Sequence, residues 1–218
     1  METVLIVICI IGVFAAALFY AARSNKKRVA LMQEFASSRD WSFSATDPEG
    51  LAAKLDALSP DLQFHVFNIM AVESGSRTMR LFDYQYHFRE HRRSDYPGTG
   101  CIVESSRFRT AGLGQDIVEI VDRTRLDTAL AGDQVDLGSS DFSKNFIVIS
   151  KNRIAAKNAV TPALQSVLVR HHEAPLYNSV TIRMSATGAV ALNRSLDPDP
   201  AQWADLVELC RNMEASLP

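Results

Sequence analysis

Residues 87–91 read HFREH, a pattern with chemistry in it. His87, Glu90 and His91 match H-x-x-E-H, the inverted zinc-protease signature in which two histidines hold zinc and the glutamate activates water. Zinc needs both imidazole nitrogens at ~2.0–2.1 Å, and a helix can supply that because positions i and i+4 share a face. The residues leading into the motif follow a different period. Phe82, Tyr84, Tyr86 and Phe88 alternate with Asp83, Gln85 and His87, which is the pattern of a strand. Continued as a strand, His87 and His91 share a side but stand ~13 Å apart, too far for one ion. Beyond Phe88 the chain is polar up to Tyr96-Pro97-Gly98, so His91 falls in a loop. A helix over HFREHRRSD would have only Phe88 to bury. Glu173 lies at a plausible distance for a third ligand, but nothing around it marks a metal-binding helix. The reading is no catalytic residue, no metal and no cofactor. A zinc-dependent hydrolase on His87, Glu90 and His91 is the alternative.

The other reactive groupings have plain explanations beside sharper ones. Arg89, His91, Arg92 and Arg93 form a basic string, read as a solvated hairpin loop or as a site for phosphate or an acidic partner. Tyr84 and Tyr86 belong to the core face of a strand; on an exposed face they would anchor a partner. His171 and His172 are adjacent on a helix and point in different directions, so they make a poor metal pair even with His65. Asp83, set among aromatics, is read as a capping or hairpin-fixing carboxylate. No G-x-S-x-G, P-loop, G-x-G-x-x-G or C-x-x-C occurs.

The elements that position these residues begin with an apolar run. Thr3 to Ala22 is twenty residues without a charge, ~30 Å as a helix, the thickness of a bilayer core. Glu2 precedes the run, whereas Arg23, Lys26, Lys27 and Arg28 follow it, the reverse of a signal peptide. The expectation is an uncut transmembrane helix with the N-terminus outside and the rest cytoplasmic, in a bacterial inner membrane. Those four cations fix topology, and they are also candidates for contact with anionic headgroups. The chain has 218 residues, 47% apolar and 22% charged, with a net charge of −2; that balance gives no support for nucleic-acid binding. Cys101 and Cys210 are read as reduced thiols.

Past the membrane flank, Val29, Met32, Phe35 and Ala36 make one helical stripe. Asp47 and Pro48 suit the N-cap and first position of a helix carrying Leu51, Leu55 and Leu58. From Leu62 to about Phe108 the period is two, giving a hairpin turned at GSR and a third antiparallel strand. Residues 107–138 are open between strand and helix at QDIVEIVDR, with DQVDLG and NFIVIS as strands. Thr161-Pro162 opens an amphipathic helix, and a second hairpin follows from Val180, turning at Thr187-Gly188. A closing helix carries Trp203, Leu206, Val207, Cys210 and Met213 on one side. The fold class is α+β: an N-terminal transmembrane helix, then one domain with a largely antiparallel sheet flanked by helices. The boundaries are 1–24 for anchor and basic flank, 25–60 for a juxtamembrane helical segment and 61–218 for the cytoplasmic domain.

LFDYQYHF (Leu81 to Phe88) and DFSKNFIVIS (Asp141 to Ser150) resemble signatures of uncharacterised bacterial membrane-anchored proteins. In that group an LFDY-x-Y strand is followed by an FS-x-x-F segment leading to a strand and a helix. The resemblance implies a fold and an envelope context from about Val29 to Ala215, and no reaction. The function expected is a membrane-tethered interaction domain, scaffold- or adaptor-like, with a protein partner. A lipid or small-ligand sensor at the membrane surface is a further alternative. On the strand reading, the purified chain carries no stoichiometric zinc, and His87→Ala leaves its metal content unchanged. Metal analysis showing one zinc that disappears with His87 would reverse the assignment.

Overall fold

The computed structural model describes residues 2–89, 96–124, 133–138, 140–174, 180–196 and 199–217, without the side chains of residues 2–9, 14 and 140. Helix α1 runs unbroken from Glu2 to Ser37. Then come β1 (Ser42–Ser44), α2 (Leu51–Leu58), β2 (Leu62–Ser74), β3 (Arg77–Phe88), β4 (Tyr96–Glu104), α3 (Arg107–Thr110) and β5 (Val118–Asp122). The chain ends with β6 (Asp133–Gln134), α4 (Ser140–Asn145), β7 (Phe146–Ser150), α5 (Arg153–Ala159), α6 (Pro162–His172), β8 (Val180–Ser185), β9 (Gly188–Asn193) and α7 (Pro200–Ala215).

The strands join one antiparallel sheet in the order β1-β2-β3-β4-β9-β8-β5-β7-β6. Period-two patterning gives each strand two working faces. Met79, Leu81, Cys101, Val103, Ala189, Ala191, Ile182 and Val148 point to a core closed by α1, α5, α6 and α7. Phe82, Tyr84, Tyr86, Ile102, Val190 and Leu192 point the other way, to a second core under α2. Both faces of the central strands are buried, so LFDYQY carries apolar or aromatic residues on both, with Asp83 and Gln85 as the polar exceptions.

The expected elements are present, with shifts that have local causes. The first hairpin turns at Gly75-Ser76, where Gly75 supplies φ +61°. The second turns at Ala186-Thr187, one residue earlier than expected. Helix α2 begins at Leu51, not Pro48, because Gly50 takes a left-handed conformation before it. Asp47 still caps the helix from a distance, accepting from the Leu51 and Ala52 amides at 2.8 Å each. QDIVEIVDR is a strand, β5, since β7 and β8 pair with it on both sides. DQVDLG contributes only the two residues of β6. Helix α5 was not foreseen; it is capped by Asn152 and buries only Ala155, Ala156 and Ala159, too small a face to register as a periodic stripe.

The stretch from Arg28 to Leu58 is built into the domain: Met32, Phe35, Ala36 and Trp41 join one core, and Leu51, Leu55 and Leu58 the other. Among the described residues no helix is long and apolar enough to cross a membrane. The expectation of a spanning segment is therefore not met on those residues; within the apolar run, residues 3–9 and 14 are described by backbone alone. Cys101 and Cys210 are both buried and unpaired by disulfide; burial, and then the Cys210 thiol beside it, push the Cys101 thiol well above its usual range.

Gly98 sits where β3, β4 and β9 converge. A Cβ there would lie 2.3 Å from the Asn193 carbonyl oxygen and 2.5 Å from the Tyr84 ring. Gly98→Ala should therefore destabilise the chain by about 2–3 kcal/mol, read as a lowered midpoint in chemical denaturation.

Candidate functional site

Asp83 of β3 lies at the centre of a buried polar network. Its side chain is 0% exposed and faces Arg28 of α1, which is 6% exposed. Arg28 Nε donates to Asp83 Oδ2 at 2.8 Å and Nη2 to Oδ1 at 2.5 Å, a two-pronged contact. Nη1 donates to the Leu196 carbonyl at 2.9 Å, and Nη2 also reaches the Thr99 hydroxyl at 2.8 Å. The Thr99 hydroxyl stands 3.3 Å from Asp83 Oδ1 and 3.1 Å from the Ser195 carbonyl. The guanidinium also lies over the Trp203 ring, 5.2 Å from its centre. One side chain thus joins α1 to β3, β4, the β9–α7 connection and α7.

The sheet deforms to make room for this pair. The β2–β3 register slips between Phe67 and Met70, and Asn68 in the bulge adopts φ +52°. Asparagine tolerates that conformation better than most residues. The bulge brings the Asn68 side-chain amide to Asp83 Oδ2 at 3.0 Å, completing the shell around the carboxylate. Asp83 fixes the entry of α1 rather than a hairpin.

This location corrects one sequence expectation. Arg28 was grouped with Arg23, Lys26 and Lys27 as a headgroup contact, but it is turned inward and spent on Asp83. The other three are exposed. Tyr84 and Tyr86 are buried at 0% and 4%, so they are core residues and not an open partner surface. Tyr84 Oη donates to the Asn193 carbonyl at 3.1 Å, and Tyr86 stacks on Tyr96 at 5.2 Å. Arg89 is engaged within the domain: Nε donates to the Leu62 carbonyl at 3.0 Å and Nη2 to Asp56 at 3.1 Å. It clamps α2 to the start of β2, which does not suit it to reach for phosphate.

His87 stands in β3 opposite Gln63, with Nε2 3.1 Å from Gln63 Oε1. The element at His87 is thus a strand, β3, which runs on to Phe88. Glu90, His91, Arg92 and Arg93 lie outside the described residues. His171 and His172 diverge as adjacent helical residues must: His171 Nδ1 is 3.2 Å from Asp205 on α7, and His172 Nε2 is 3.5 Å from Asp122 on β5. Among the described residues no group of three or more His, Cys, Asp or Glu is placed to hold a metal.

A second buried ion pair works on the opposite face. Arg183 of β8 donates through Nε to Glu119 of β5 at 2.8 Å and reaches the Ser59 hydroxyl at the end of α2. Arg80 bridges Glu104 and Glu49, and Lys54 on α2 meets Glu104 at 2.8 Å. Sequence reasoning missed Arg28–Asp83 and Arg183–Glu119. The available signal was a charge in an otherwise apolar strand: Asp83 within LFDYQY and Arg183 within VTIRMS.

The fold and site together define a helix-led α+β domain: an antiparallel sheet with two cores, clipped by a buried arginine to a long N-terminal helix. No family model matches the chain, and no curated protein matches it. Among solved structures it is similar to the mycobacterial trehalose monomycolate transport factor A, TtfA, with a TM-score of 0.59 and 15% identity, over 88% of this chain and 96% of that one. At that identity the likeness is one of fold.

Removing either partner of the inner pair leaves a buried charge without its counterion. Arg28→Met or Asp83→Leu alone should cost about 3–5 kcal/mol in urea denaturation. The double variant Arg28→Met/Asp83→Leu should recover a large part of that loss. Additive losses in the double variant would show that the two groups do not act as a pair.

Proposed function

We propose that this chain is a membrane-tethered interaction domain, held by its first helix at the inner face of a bacterial membrane, and that it serves as an accessory factor to envelope lipid transport and has no catalytic role. The observation that carries the reading is the course of α1. It is unbroken from Glu2 to Ser37, exposes Ile10, Ile11, Val13, Leu18, Phe19 and Tyr20 at one end, and is locked by Arg28 at the other. A row of large apolar side chains open to water marks a surface meant for another apolar phase. The uncharged run from Thr3 to Ala22 has the length of a bilayer core, and the basic flank after it favours an outward N-terminus and an inward domain.

The lipid-transport setting is supported by the shared fold with TtfA, described as a transport factor for trehalose monomycolate. An accessory role agrees with how the buried charges are used. Asp83, Glu119, Arg28 and Arg183 pair across elements and hold the architecture. The partner is a protein, met by a domain whose orientation α1 fixes.

The test is fractionation of the full chain together with a C-terminal reporter. The full chain should stay with membranes through alkaline carbonate, and a chain beginning at Arg23 should move to the soluble fraction. A C-terminal reporter should be active only in a form that works in the cytoplasm. Release of the full chain by carbonate, or a reporter active only after export, refutes the proposal.

A further inference from the structure

The three cations left on α1 after Arg28 turns inward form a one-sided collar. Arg23, Lys26 and Lys27 are exposed, and among the described residues none has an ion-pair partner. At ~100° per residue, Lys26 lies ~60° to one side of Arg23 and Lys27 ~40° to the other, an arc of ~100°. The same geometry puts Arg28 ~140°, Met32 ~180° and Phe35 ~120° from Arg23. Those three are buried against the sheet and α7. The collar therefore occupies the face of α1 directed away from the domain.

Its height matters as much as its side. Lys27 is five residues past Ala22, ~7.5 Å along the helix, within the depth of a headgroup layer. We infer that Arg23, Lys26 and Lys27 bind the phosphates of anionic lipid headgroups, and that this contact sets the rotation of α1 and so the domain surface presented along the membrane. The inference rests on the proposed membrane tether. Two facts carry it further than a topology signal alone. The cations are gathered on one face, although topology needs only their number. And the opposite face is rigidly fixed to the domain by Arg28, so gripping lipid on one side orients what lies on the other. A loose linker at this point would transmit nothing; here the helix continues without a break to Ser37.

The experiment is native mass spectrometry of the detergent-solubilised full chain with phosphatidylglycerol or phosphatidylcholine of the same acyl chains. The unmodified chain should retain phosphatidylglycerol about a hundredfold better, and added salt should erode that preference. Each neutralised cation should reduce the preference about fivefold, and Arg23→Gln/Lys26→Gln/Lys27→Gln should abolish it. The comparison variant Lys144→Gln/Arg153→Gln/Lys157→Gln removes the same charge from exposed positions on α4 and α5 and should leave the preference intact. Equal retention of the two lipids by the unmodified chain, or equal preference in the collar and comparison variants, overturns the inference. Carbonate release of the full chain from membranes would instead strike the tether itself, so the two failures are distinct.

Discussion

A buried arginine that meets a buried aspartate sets the terms for the rest of this molecule. Arg28 and Asp83 are 55 residues apart in sequence, and the arginine also holds the Leu196 carbonyl, 168 residues away. Taking two charges out of water is expensive, and the attraction between them offsets the expense only when every remaining donor and acceptor is satisfied. The surroundings show that requirement being met. Thr99, Asn68 and the backbone carbonyl of Leu196 each contribute a bond, and β2 breaks its register to bring Asn68 within reach. Apolar packing by Met32, Phe35 and Ala36 seats α1, and the directional bonds of the ion pair favour one rotation of it.

That selection gives meaning to the length of α1. A helix of 36 residues is a lever, and its use depends on whether its base can swivel. The base here is held by polar contacts to β3, β4 and the β9–α7 connection and by apolar contacts from Met32, Phe35 and Ala36, with Phe35 edge-on to Trp203 at 5.6 Å. The exposed apolar end is joined to the sheet through one continuous helix. The proposed interaction role rests on this coupling more than on any pocket.

The sheet has a matching device on its other face. Arg183–Glu119 joins β8 to β5 and touches Ser59, so α2 is pinned where one core gives way to the next strands. The two arginines sit on opposite sides of one antiparallel sheet. Each fixes a helix to strands far away in sequence, which makes the order β3-β4-β9-β8-β5 the organising part of the fold. FSKNF serves a similar end on a smaller scale: Phe142 and Phe146 stack at 5.2 Å across the junction of α4 and β7.

The sequence by itself determined whatever depends on local period and local caps. Two hairpins, the helix opened by Thr161-Pro162, the apolar side of α7 and the strand character of LFDYQYHF all follow from side chains a few residues apart. The same local reasoning argued against a helical zinc site at His87. Tertiary structure decided the remainder. QDIVEIVDR became a strand because β7 and β8 supply partners that are distant in the chain. Helix α5 escaped notice because three alanines carry almost no periodic signal. Arg28 read as one of four equivalent cations, since nothing near it in sequence distinguishes it from Arg23. Only Asp83, brought close by the sheet, turns it inward, for a counterion acts through space and leaves no mark on the residues beside its partner.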